Sequence, residues 1–277
     1  MALGDLRLGI LGLGQIGGSI ASCLSSGGAC GNIVGFDPRT ELTAAALERR
    51  AVNGVASSEA ELIALSDIVV IAVPVVAIMA ILQRHHDALR PKVAVTDTGS
   101  VKQDITQIAE SLDLCDFVGG HPLAGTEKRG VDSWNGTLFK DANYFLTPGE
   151  SADSQAYAVV NELTAALGAR AIRVSAPWHD QVIAVTSSLP HLLAYSLSHV
   201  FQQLPSIETD KNELRSSSYD GATRVAESDP EMVFQILWQN RRYLRPALSA
   251  LMEQLAASGE ALDSADEGRL RRFIGRI

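Results

Sequence analysis

The stretch "LRLGILGLGQIGGSIASCLSSGG" (residues 6–28) decides the fold. Its apolar start predicts a short strand over 6–11, followed by a glycine turn and a helix over about 15–25, with Gly27 past the end as a stop signal. Within the turn, Gly12, Gly14 and Gly17 form GxGxxG: the first for a tight turn, the second for close approach to a pyrophosphate, the third for helix–strand packing. A phosphate held there faces the free N–H groups of a helix N-terminus, next to Gln15 and Ile16. The motif gains weight from "NIVGFD" (32–37), a second strand ending in Asp37 about twenty residues beyond Gly17, where a carboxylate accepts ribose hydroxyls. Asp37 repels a 2′-phosphate and favours NAD, whereas Arg39 attracts one and leaves NADP open.

Working outward, the pattern alternates: a helix over 41–51, a strand over 67–74, a helix over 76–89, a strand over 92–99, a helix over 102–112, a strand running into His121 and a last strand over 171–174. This alternation predicts an α/β Rossmann-type domain, a doubly wound parallel sheet. Ligands of such a sheet lie beyond the C-terminal strand ends, which is where Pro74, Ser100 and His121 fall. In "GGHPLAGTEKRG" (119–130) the glycine pair lets a ligand approach, Pro122 fixes the exit direction, and the following charges can meet an anion. Ser100 reads either as a helix N-cap or as a hydrogen-bonding partner of His121.

After residue 174 strand alternation ends and the sequence turns helical. The expected division is a dinucleotide-binding domain over 1–174 and an all-α domain over 175–277. A helix over 180–203 carries an apolar face through Val182, Val185, Leu189, Leu193 and Val200. A second stripe, Ala184, Ser188, His191, Tyr195 and Ser198, is small and hydrogen-bonding, and Pro190 is expected to interrupt the helix just before His191. His179, in "PWHD", reads as part of a helix start. A long helix over 230–257, apolar through Val233, Ile236, Leu237, Leu244, Leu248, Leu251 and Leu255, predicts a homodimer formed through the C-terminal helices.

Composition narrows the function classes. Of 277 residues, 46% are hydrophobic and 20% charged, as in an ordinary globular protein. The net charge of −9 argues against a nucleic-acid partner, so any anionic small molecule must be held by local cations. The longest apolar run (68–82) is broken by Pro74 and falls short of a membrane span, and the N-terminal residues lack a signal sequence, so a cytoplasmic protein is expected. Cys23, Cys30 and Cys115 show neither CxxC nor zinc spacing, which suits reduced thiols and predicts no metal site.

The set "GLGQIGGS" (12–19), "VTDTGSVK" (95–102), "GGHPLAGTEKRGV" (119–131), "SSLPHLLAYSL" (187–197) and "TRVAESDP" (223–230) resembles the prephenate/arogenate (cyclohexadienyl) dehydrogenase family of tyrosine biosynthesis, over nearly the whole chain. The resemblance implies a Rossmann domain joined to a helical dimerisation domain with the active site between them, and NAD(P)-dependent oxidation of a ring alcohol coupled to loss of the ring carboxylate. By motif, it implies that His121 takes the hydroxyl proton, that Ser100 hydrogen-bonds His121 and the hydroxyl, and that His191, Arg224, Thr126 and Glu127 bind the substrate. The chain departs from the family pattern at Ser188, at Ser216 to Ser218 and at Val233, which leaves the substrate's side chain open. Two other readings are a dehydrogenase or imine reductase of the β-hydroxyacid type and a noncatalytic NAD-binding regulator; no lysine lies between Lys140 and Lys211 to serve the former as its acid–base group.

Overall fold

Eight strands form one sheet: β1 (Arg7–Leu11), β2 (Asn32–Phe36), β3 (Gly54–Val55), β4 (Ile68–Ile71), β5 (Ala94–Asp97), β6 (Phe117–Pro122), β7 (Asn143–Pro148) and β8 (Arg170–Arg173). Their spatial order is β3-β2-β1-β4-β5-β6-β7-β8. The computed structural model that shows this describes residues 3–126, 128, 130–149, 154–205 and 210–275. Strands β1 to β6 run parallel, in keeping with the expected doubly wound sheet. The direction then reverses, since β7 pairs antiparallel with β6, and β8 parallel with β7. Between β6 and β7 the described residues hold only a 3-10 turn, Val131–Ser133, and without a crossover helix the chain can only return beside β6 in the opposite sense.

The helices α1 (Gln15–Ser26), α2 (Thr40–Glu48), α3 (Glu59–Leu65), α4 (Val75–Leu89), α5 (Gln103–Ser111) and α6 (Ser154–Ala166) cover both faces of the sheet. Strand β4 shows why its sequence is apolar throughout. Side chains alternate between faces, so Ile68 and Val70 enter one core with Ile20, Leu24, Leu42 and Leu163. Val69 and Ile71 enter the other, with Leu62, Ile78, Leu82 and Ile105. Neither face is left to water. Helices α1 and α4 belong to opposite cores, so the chain leaves the adjacent strands β1 and β4 in opposite directions and opens a crevice at their C-terminal ends.

The chain falls into two compact units, residues 1–180 with 228–236 and residues 181–227 with 237–277. After the sheet come α7 (Ala176–Ile183), α8 (Leu189–Gln202), α9 (Ser217–Thr223), α10 (Pro230–Gln239), α11 (Arg241–Asp263) and α12 (Glu267–Ile274); most of α7 and α10 belongs to the first unit, the other four to the second. Two sequence expectations are corrected here. Pro190 does not interrupt its helix: α7 and α8 are joined through a π-helical turn, Ala184–Ser188, in which Leu189 N–H reaches back to the Ala184 carbonyl, and Ser188 and Leu189 keep helical angles. The widened turn takes up the strain of a proline that has no N–H to donate and whose ring needs room. The single helix expected over 230–257 is two, broken at Asn240, whose ψ of 10° leaves the helical range while its carbonyl accepts from Tyr243 and Leu244 N–H. Asparagine is a poor residue for a helix interior, which favours a break here even though its side chain caps no N–H of α11.

Candidate active site

The turn between β1 and α1 is built for close approach. Gly12 has φ +91°, and a Cβ there would lie 2.4 Å from the Ala72 carbonyl oxygen. A Cβ on Gly17 would lie 1.9 Å from Gly12 O, so this glycine lets α1 press against the turn. At Gly14 the only neighbour of an added Cβ within 4 Å, among the described residues, is the Arg39 guanidinium, at 3.9 Å. The cradle at the start of α1 therefore has no side-chain cap and an open flank, as a bound pyrophosphate requires. Pro74 stands across the crevice as the exposed N-cap of α4, and Ile16 packs into the core below.

Asp37 lies just past β2, and its side chain is buried. Its Oδ2 accepts Leu13 N–H at 2.9 Å, and Arg39 donates Nε to Oδ1 at 2.9 Å and Nη2 to Oδ2 at 3.0 Å. Burial alone would push this carboxyl up, but the Arg39 guanidinium and the two main-chain donors hold it below the usual carboxylate range. An ionised carboxylate at this strand end fits a ribose with free hydroxyls. Gln15 ties the loop after β6 to the cradle: its Nε2 donates to Thr126 Oγ1 at 2.7 Å and its Oε1 accepts Thr126 N–H at 2.8 Å. Trp134 Nε1 donates to Leu13 O at 3.1 Å and fixes the same loop over the turn. Glu127 lies outside the described residues.

His121, near the end of β6, is buried, with its ring centroid 6.4 Å from that of its cross-strand neighbour Phe145. Its Nδ1 lies 2.8 Å from His179 Nε2, and His179 Nδ1 lies 2.7 Å from Asp180 Oδ1. Asp180 is fixed in turn at the start of α5, where Lys102 N–H donates to Oδ1 at 2.8 Å and Gln103 N–H to Oδ2 at 2.9 Å. Burial above all, with the nearby His179 and Lys102, pushes His121 well below the ordinary imidazole range. Burial also lowers His179, against the opposing pull of Asp180. A neutral, desolvated imidazole is a proton acceptor waiting for a donor.

Beneath this chain lies a fully buried ion pair that the sequence did not announce. Lys102 Nζ donates to Asp97 Oδ2 and, at 2.8 Å, to Gly120 O. Asp97 also accepts Gly99 N–H at 2.8 Å and Gly120 N–H at 3.1 Å. Close packing against the neighbouring strands accounts for the glycines before His121: an added Cβ on Gly119 would lie 2.3 Å from Thr147 Oγ1 on β7. An added Cβ on Gly120 would lie 2.5 Å from Asp97 O, and one on Gly119 would lie 3.3 Å from Lys102 Cδ. The glycines make room for protein.

Ser100 sits half-buried after β5, and among the described residues no hydrogen bond links it to His121. In the second unit His191, on α8, directs Nδ1 to the Ser187 carbonyl at 2.9 Å, which places its proton on Nδ1 and leaves Nε2 as an acceptor. Nearby on the same helix, Ser188 Oγ and Tyr195 Oη are buried without partners among the described residues. Arg224 opens a 3-10 turn, Arg224–Glu227, that packs against α8. It is exposed and has no ion-pair partner among the described residues, so it is available to a carboxylate. The residues whose part in the site was missed in the sequence, Asp97, Lys102, His179 and Asp180, are all buried and polar; the motif "VTDTGSVK" holds the first two and the adjacent "HD" of 179–180 the others.

Comparison with known proteins places this geometry. The sequence model of the prephenate dehydrogenase nucleotide-binding domain matches residues 20–173, and that of the prephenate dehydrogenase dimerization domain matches residues 175–276. A prephenate dehydrogenase of Bacillus subtilis is 33% identical over 268 residues, spanning 96% of this chain and 72% of that protein. A cyclohexadienyl dehydrogenase of Zymomonas mobilis is 32% identical over 266 residues, spanning 94% and 89%. The crystal structure of prephenate dehydrogenase from A. aeolicus, in complex with hydroxyphenyl propionate and NAD+, superposes with a TM-score of 0.90 at 29% identity, covering 97% of this chain and 94% of that one.

Proposed function

Because the chain belongs to the prephenate dehydrogenase family, we propose that it catalyses the NAD-dependent oxidative decarboxylation of prephenate to 4-hydroxyphenylpyruvate, of arogenate to tyrosine, or of both. The observation that carries this reading is His121: a buried, neutral imidazole near the C-terminal end of β6, in the sheet that carries the dinucleotide cradle, with Nδ1 engaged by His179. When bound, NAD accepts the hydride from the ring carbinol carbon. His121 accepts the hydroxyl proton as the C–O bond becomes a carbonyl, and later returns it to the ring oxygen. The ring bond to the carboxylate breaks between these steps, CO2 leaves, and its electron pair makes the ring aromatic.

The remaining assignments follow from chemistry and position. Gly12, Gly14 and Gly17 with the N–H groups of Gln15 and Ile16 hold the pyrophosphate, Asp37 the ribose, and Pro74 borders the opposite wall. Ser100 orients the hydroxyl, His191 accepts from a polar group of the substrate through Nε2, and Arg224 pairs with a carboxylate. Thr126 would bind the substrate, as would Glu127 by its place in the family motif. The NADP alternative rests on Arg39, whose guanidinium is engaged by Asp37 and would have to leave it for a 2′-phosphate. No step calls on a metal ligand set, and among the described residues no cluster of His, Cys, Asp or Glu is arranged to hold one.

Assembly as a homodimer is supported by the matched dimerization domain and by apolar side chains left exposed on the single chain. On the helical stretch 176–202, Val185, Leu193, Leu197 and Val200 are exposed, as are Met252 and Leu255 on α11. Sedimentation equilibrium is expected to give twice the chain mass; a monomer at micromolar concentration would count against this assembly. The three cysteines are free thiols, which suits a cytoplasmic setting, and among the described residues no helix is long and apolar enough to cross a membrane.

The direct test is NADH absorbance on mixing the protein with NAD and either prephenate or arogenate at equal concentration, repeated with NADP. Turnover of at least one substrate is expected, faster with NAD than with NADP. Silence with both substrates and both cofactors would overturn the reading.

A further inference from the structure

The residues behind His121 form a directed chain. Asp180 is a carboxylate whose two oxygens already accept main-chain N–H groups from the start of α5, so it meets His179 only as an acceptor. The proton of His179 therefore lies on Nδ1, the atom facing Asp180. A neutral His179 then presents a lone pair on Nε2, and the atom 2.8 Å away, His121 Nδ1, must carry the proton between them. That leaves the lone pair of His121 on Nε2, which has no hydrogen-bond partner among the described residues. We infer that His179 and Asp180 are positioning residues that hold His121 in its Nδ1–H form, so that Nε2 is the atom that accepts the substrate proton. This rests on the reaction proposed above, but the proton assignment stands apart from it, on the hydrogen-bond geometry and on the burial that keeps His179 neutral.

The arrangement also offers charge compensation. When Nε2 takes a proton, the imidazolium can share it through His179 toward Asp180, without any group having to move. Phe145 closes one side of the pair, its ring centroid 5.2 Å from that of His179 and edge-on to it, which restricts rotation of the imidazole. The same ring meets His121 on the facing strand. Two imidazoles and a carboxylate are thus locked by packing, by a strand and by a helix start.

Nitrogen-15 spectra of the holoenzyme with labelled histidine, with and without substitutions at the pair, test the assignment. In the wild type His121 is expected as the Nδ1–H tautomer. In Asp180→Asn the amide can donate to His179 Nδ1, which reverses the chain and moves the His121 proton to Nε2. The kcat of this variant is expected to fall by about 10³-fold or more, while KM for both substrates stays within about threefold. His179→Gln keeps an acceptor for His121 Nδ1 and should retain activity within about tenfold of wild type, whereas His179→Leu should fall by at least about 100-fold. A wild-type Nε2–H tautomer, an Asp180→Asn enzyme of unchanged kcat, or equal losses in the Gln and Leu variants would each overturn the assignment. Should Asp180→Asn fail to fold, the Gln and Leu pair decides. If neither cyclohexadienyl substrate is turned over but the spectra show the Nδ1–H form, the proposed reaction fails and the proton arrangement stands.

Discussion

Replacing His121 with asparagine lowers kcat by about 10³- to 10⁴-fold, while NAD affinity stays within about twofold. Asparagine fits the strand position and can still accept from or donate to His179, but it has no basic nitrogen to take the hydroxyl proton. The cofactor cradle, made of the β1–α1 turn and Asp37, is untouched by the change. Steady-state kinetics together with fluorescence titration of NAD separates the two effects; retained turnover would remove His121 from the reaction. The sign of the pH dependence follows from the same burial. Because His121 is held below its ordinary value of 6.5, the basic form persists at pH 6.5, and the acid limb of kcat/KM lies below that pH. Stability falls on the same side: the unfolded chain binds protons at His121 and His179 near pH 6.5 where the folded one does not, so acidification through that range favours unfolding.

Lys102→Met is expected to be the most destabilising single change, costing about 3–5 kcal/mol and lowering Tm by roughly 10 °C. The substitution matches the lysine stem in length and leaves Asp97 as an uncompensated charge at a site with no access to water. Gly120 O loses a donor as well. The double variant Asp97→Asn, Lys102→Met removes both charges and should recover part of the loss, measured as a coupling in thermal unfolding. If Lys102→Met melted within a degree of wild type, the ion pair would carry no structural weight. Burial gives lysine a lowered pKa here, yet its cationic form is what Asp97 and Gly120 O require.

Local signals made most of the nucleotide half legible. The glycine turn, the strand ending in Asp37 and the two-faced apolar run of β4 each depend on residues close in sequence. Strand β3 escaped because two residues carry no period, and β7 because "NYFLTP" follows a loop and not a helix. Helix α3 could have been read from its capping box: Ser58 Oγ accepts Glu61 N–H at 3.1 Å, and the Glu61 carboxylate accepts Ser57 N–H at 2.6 Å. Helix α6 also had a period, with Ala156, Val159, Val160 and Leu163 buried at helical spacing. The site was legible at His121, but its support was not, because Asp180 lies 77 and 78 positions from the two N–H groups that it accepts. Contacts of that range leave no pattern in a single chain, and a buried lysine reads in sequence like an exposed one.

The π-helical turn at Ala184–Ser188 sets the phase of everything that follows it on its helix. Each residue of an α-helix advances the azimuth by about 100°, so losing one residue from this turn would restore regular winding and swing the downstream face by about that angle. His191 and the apolar ridge of Leu193, Leu197 and Val200 would turn together, as marks on one rod. A lineage that shortens the turn must therefore re-aim the histidine and the ridge in a single event, and drift in one of them is held in check by the other.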